Sequence, residues 1–96
     1  MAEITLQTPV KRKDDQIKKV TLRQPSAGEL RGLSLARLMQ MDVSAIITVV
    51  PRISQPILDE AEVAALGPVD FAAIAQEVVG FFFSEADRKA LEAGSL

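Results

Sequence analysis

Two short stretches near the start, EITLQTPV (residues 3–10) and IKKVTLR (residues 17–23), alternate apolar and polar residues with a period of two. That period belongs to half-buried strands. Ile4 and Leu6 face one way and Glu3, Thr5 and Gln7 the other, while Val20 and Leu22 oppose Lys19, Thr21 and Arg23. The polar run KRKDDQ between them sits where a hairpin turn belongs. Pro9 cannot donate to a ladder, so it marks the end or an edge position of the first strand. A two-stranded hairpin is barely stable alone, so its apolar face has to lie on the rest of the chain.

The remainder of the chain reads as helices. Gln24-Pro25 ends the hairpin, and Ser26 with Glu29 three residues on forms a capping box. The spacing predicts a helix from about Ala27 to Gln40, with Leu33, Leu35, Ala36 and Met39 on one broad face and Leu30, Leu38 and Met41 left outside it. Asp42 caps a second helix in which Val43, Ile46, Ile47, Val50 and Ile53 are apolar while Ser44, Thr48 and Arg52 recur every four residues. The β-branched run AIITVV also suits a strand, but a strand does not explain that four-residue polar recurrence. Pro51 is expected to kink or end the helix.

After Gln55-Pro56, Asp59 and Glu62 form another capping pair over the short helix DEAEVAAL. Gly67-Pro68 breaks it, and Pro68 and Asp70 suit the first turn of a further helix. That helix puts Phe71, Ile74, Ala75, Val78, Phe81 and Phe82 on one face, which makes them core, and leaves Phe83 over. Ser84 followed by Asp87 predicts a short terminal helix over EADRKALEA, with the chain turning at Phe83. The expected fold is α+β: an N-terminal β-hairpin packed on a bundle of three to four short helices. It forms one domain, with the hairpin in residues 1–25, the helical part in 26–83 and a short terminal helix or frayed tail in 84–96.

Composition narrows the function. The chain of 96 residues contains no cysteine and no histidine, which removes thiol nucleophiles, imidazole bases and the commonest soft-metal ligands together. The five glycines show no phosphate-loop spacing, and a serine triad would lack its base. No enzyme activity, cofactor or metal site is expected. The acidic residues Asp59, Glu60, Glu62 and Asp70 are near one another, but three of them stand where helix starts favour negative charge.

A net charge of -2 gives no general attraction to phosphate backbones. Lys11-Arg12-Lys13 and Lys18-Lys19 form a basic hairpin tip, yet Asp14 and Asp15 follow at once, and the helix pair from Ala27 to Ser54 is too apolar to read bases. No apolar run is long enough to span a bilayer, and MAEITLQ lacks a signal-peptide layout. A cytoplasmic protein that contacts neither membrane nor nucleic acid is expected. Its surplus is apolar surface: Leu30, Leu38, Met41, Val79 and Phe83 exceed what one face per helix buries, and such surplus either marks a partner or homo-oligomer contact or is covered by the terminal helix wrapping over it.

The order of these pieces resembles a known family. A hairpin closing on VTLRQPSAGEL, then EVAALGPVDFAAIAQEVVGFF, is similar to the small tail assembly chaperones of long contractile-tailed phages and related prophages, and the resemblance runs from Ile4 to Phe82. It implies a non-enzymatic protein of the host cytoplasm, absent from the finished virion, that binds the helical tape measure protein before the tail tube polymerises. It also implies a longer form of the same chain reached by a programmed ribosomal slip, for which the T-rich codons of Phe81-Phe82-Phe83 offer a place. The competing readings are a small DNA-binding regulator, carried by the basic hairpin tip and the helix pair, and a structural tail or head-completion protein that stays in the particle.

Overall fold

The computed structural model describes residues 2–83; the terminal helix expected at Glu85–Ala93 lies outside them. Strands β1 (Ala2–Lys11) and β2 (Gln16–Leu22) pair antiparallel about a tight turn in which Arg12 N donates to Asp15 O at 2.8 Å. A third strand that the sequence pattern does not announce, β3 (Ser54–Gln55), adds to the far side of β2, giving the order β1-β2-β3. Two residues are too few to show a period. Only the neighbouring β2 edge makes this segment a strand.

The hairpin register slips once. Thr5 pairs with Lys19 and Val10 with Ile17, so Leu6, Gln7, Thr8 and Pro9 of β1 face the single residue Lys18. A bulge of this size leaves β1 amides without partners on β2. Pro9, which has no amide to pair, falls inside it. Ile4, Leu6, Ile17, Val20 and Leu22 are all buried and belong to one core cluster.

The expected helix from Ala27 to Gln40 is two pieces. A single 3-10 turn (Ala27–Leu30) follows Ser26, whose amide donates to the Glu29 carboxylate at 3.0 Å. Gly32 then takes φ 81, a left-handed value that only glycine adopts without cost. Helix α1 (Leu35–Met39) starts afresh, with the Ser34 hydroxyl accepting from Arg37 N. The restart changes the helical phase. Leu38, placed by the continuous helix outside the packed face, is fully buried, while Leu35 and Met39, placed inside it, are 52% and 45% exposed.

α1 ends in a Schellman motif: Met41 N donates to Leu38 O at 3.0 Å and Asp42 N to Arg37 O at 2.9 Å. The left-handed residue of such a motif is usually glycine. Here it is Met41, at φ 58, a conformation that costs an L-residue with a β-carbon about 1–2 kcal/mol.

Helix α2 (Val43–Ile53) opens with the Asp42 carboxylate accepting from Ala45 N at 3.0 Å. Ala45, Ile46, Val49, Val50 and Ile53 form its buried face. Pro51 does not end it, because its final carbonyls find partners elsewhere. Arg23 N donates to Ile53 O, the Arg23 guanidinium to Arg52 O at 2.8 Å, and Ser54 N to Val50 O. These bonds hold the last turn that the missing proline amide weakens.

Asp59 and Glu62 cap α3 (Glu60–Ala64) reciprocally, at 2.7 and 3.0 Å. α4 (Pro68–Gly80) begins with Pro68 after Gly67 and buries Ile74, Ala75 and Val78. It stops at Gly80, so Phe81, Phe82 and Phe83 occupy a turn and not a further helical face. Phe71, Phe81 and Phe82, expected as core, are half-buried and pack on its margin. The buried residues of the sheet, α1, α2, α3 and α4 form one cluster, to which Leu58 and Val63 also belong.

Candidate functional site: anchored carboxylates and an apolar corner

Three of the acidic residues are held by partners within the chain. Glu29 is bound by the Arg23 guanidinium and by Ser26 N, and these bonds, the arginine's first, hold its carboxyl down to about 2. Arg12 reaches Glu62 through two bonds of 2.8 Å and also donates to Ile57 O, which pins the hairpin tip to α3. The Glu62 carboxyl is lowered by that guanidinium and by Asp59 N. Arg12 is thereby spent inside the protein, and the tip presents less free positive charge than its sequence suggests.

Asp70 is the largest departure from expectation. Although it stands in the first turn of α4, its side chain is only 3% exposed and reaches across to β1. Gln7 N donates to Oδ1 at 2.7 Å and Thr8 N to Oδ2 at 3.0 Å. These are amides of the bulge, which β2 leaves unpaired. The carboxylate therefore completes the sheet from outside it. Among the described residues, no group of three or more carboxylates could hold a metal ion, and no helix is long and apolar enough to cross a membrane.

What stays open is apolar. Leu35, Met39, Met41 and Val43 are 52%, 45%, 40% and 57% exposed, all within nine consecutive residues at the corner where α1 meets α2. Ile57 and Val69 are exposed singly elsewhere. Of the residues singled out from the sequence, Met41 belongs to this corner. Leu30 is half-buried against the core, and Leu38 has no accessible surface, so it packs and offers nothing to a partner in this conformation. Val79 and Phe83 are half-buried at the C-terminal end of α4, where Phe83 N donates to Gly80 O at 3.2 Å. Sequence reasoning missed Leu35, Met39 and Val43. The pair Gly32 and Ser34, a break followed by a cap, was the signal that could have found them.

Residues 3–82 match the model of a family described as phage tail assembly chaperone proteins, E, or 41 or 14. The chain belongs to this family of phage tail assembly chaperones. It is 54% identical over 78 residues to tail assembly protein E of Escherichia phage P2, covering 81% of this chain and 86% of that protein. It is also 52% identical over 82 residues to tail assembly protein E′ of the same phage, covering 85% of this chain. The chain spans only 58% of the length of E′. No solved structure matches it. Membership in the tail assembly chaperone family agrees with an α+β chain in which Glu29, Glu62 and Asp70 hold its own fold together and an apolar corner is exposed.

Proposed function

We propose that this chain holds the tape measure protein of its phage, non-covalently and without catalysis, until the tail tube polymerises around it. The observation that carries the reading is the exposed apolar corner in a member of a tail assembly chaperone family. A long helical protein waiting for its tube exposes apolar stripes that aggregate unless covered, and a groove or corner of apolar side chains covers such a stripe. The proposed contacts are Met41 and, at the end of α4, Val79 and Phe83, together with the half-buried Leu30. The site of action is the host cytoplasm.

Co-expression with the tape measure protein tests this. The wild-type chain is expected to co-purify with it, and Phe83→Asp to fold normally and lose it. Failure of the wild-type chain to bind would end the reading. Mass spectrometry of finished virions separates it from a structural tail protein, because a chaperone should be missing from the particle.

We further propose that a longer form shares these residues, supported by the two relatives E and E′, of which this chain spans 86% and 58%. Sequencing the gene around the Phe81 to Phe83 codons should reveal a run of T and an open overlapping frame. Absence of both removes the idea.

A further inference from the structure

No residue from Arg23 to Arg37 is buried, and this is the longest such stretch among the described residues. The chain there passes from the end of β2 to α1, and before α1 only Leu30 and Leu33 pack, half-buried, against the core. A segment that buries so little opens at a lower free energy than the core elements do. What fastens this strap is a ring of polar bonds.

Arg23, just past β2, donates from its guanidinium to the Glu29 carboxylate and to Arg52 O at 2.8 Å. Arg52, in the last turn of α2, donates back to Glu29 O at 2.7 Å and to Arg31 O at 3.0 Å. Glu29 is thus held twice, by its carboxylate and by its carbonyl. Arg52 makes no ion pair among the described residues, so its hydrogen bonds go to the strap alone.

The two ends of the strap differ. Gln24 Nε2 ties the near end to Phe81 O at 3.3 Å. At the far end Gly32 takes φ 81, and a hollow lies between Gly32, Leu33 and Ser34 on one side and Ser44, Ala45 and Thr48 of α2 on the other. Glycine absorbs a backbone change at little cost, and the hollow leaves room for one.

We propose that residues 24–31 form a latched strap, released at Arg52 and hinged at Gly32, that lifts Leu30 from the core while the sheet, α2 and α4 stay folded. The latch stands on the hydrogen bonds and burial just described. That the lifted Leu30 meets the tape measure protein rests on the reading under Proposed function.

Two measurements on the full chain test it. In the unaltered protein, hydrogen exchange at low urea compares the amides of Glu29 and Leu33, which bond to Ser26 O and Leu30 O, with core amides such as those of Val20 and Ile74. The strap amides should exchange at least about tenfold more readily and almost independently of urea, while core exchange rises steeply with it. Because the chain contains no cysteine, Leu30→Cys introduces a single thiol, whose labelling by a water-soluble maleimide reads the opening directly. Arg52→Met keeps the aliphatic stem and removes the donors, so it should speed that labelling about tenfold. Arg52→Lys, which keeps an ammonium donor, should speed it less.

Strap amides that share the urea dependence of the core overturn the proposal, because the segment would then open only with the whole fold. Labelling that Arg52→Met changes by less than about twofold also overturns it. So does a thiol that reacts as fast as one in an unfolded peptide, since the strap would never be shut. Capture of the tape measure protein is read separately: Arg52→Met should retain at least as much as the wild-type chain. A loss there removes Leu30 from the proposed contacts, while exchange and labelling still decide the latch. A wild-type chain that captures none ends the functional reading alone.

Discussion

Replacing Asp70 with alanine should open the bulged half of the hairpin without touching the core. The carboxylate accepts from Gln7 N at 2.7 Å and Thr8 N at 3.0 Å and is 3% exposed. Each hydrogen bond to a charged acceptor contributes about 1.5–3 kcal/mol. Gln7 and Thr8 are themselves exposed, so water recovers part of the loss at both amides once the carboxylate is gone. The stabilising charge at the first turn of α4, worth roughly 0.3–1 kcal/mol, goes as well.

The net cost is about 2–3 kcal/mol, which for a chain of this size lowers the melting temperature by roughly 10–20 °C. Asp70→Asn is the informative companion. It keeps the shape and one acceptor oxygen but turns an NH2 donor toward a backbone donor, so it should forfeit more than half as much as alanine. Urea unfolding followed by circular dichroism measures both, and hydrogen exchange at the Gln7 and Thr8 amides reports the local effect. A midpoint for Asp70→Ala within about 0.5 kcal/mol of wild type, with those amides still protected, would refute the bridging role.

Leu38→Ala should cost about 2–5 kcal/mol and Leu35→Ala under about 0.5 kcal/mol in the same assay, and the reverse order would restore the uninterrupted helix. Acid should weaken the fold. Glu29 and Glu62 have folded-state values below their unfolded 4.5, so their contribution is complete above that pH and fades as pH falls toward about 2, the Glu29 value. Stability profiles between pH 7 and pH 2 should therefore drop in that window, and Glu29→Gln should shallow the drop. Arg12→Lys, which loses the two-pronged grip on Glu62, should expose the hairpin tip to limited proteolysis while lowering the melting temperature less than Asp70→Ala, an effect that shrinks at high salt.

The parts legible in the sequence were those with a local cause. Alternation gave the hairpin, and Asp42, Asp59 with Glu62, and Gly67-Pro68 marked three helix starts through contacts spanning only a few residues. The illegible parts depend on distant partners. Ser54 and Gln55 are a strand only beside β2, Pro51 is tolerated only because Arg23 holds the carbonyls beyond it, and Asp70 looks like a helix-start residue until β1 is placed against it. The phase error on α1 is different in kind. Gly32 and Ser34 carried the break, but an apolar pattern rich in leucine fits a helix in more than one phase.

Asp70 lies 63 residues beyond the Gln7 amide it holds, and Glu62 lies 50 beyond Arg12. During synthesis the hairpin leaves the ribosome before α3 and α4, while the groups that fasten it are still unmade. Contacts of such long separation carry a loop-closure cost and form late. The hairpin is thus made before the side chains that secure it, and until α4 is in place its bulged edge is itself an aggregation hazard, within a protein whose family attends to the assembly of others.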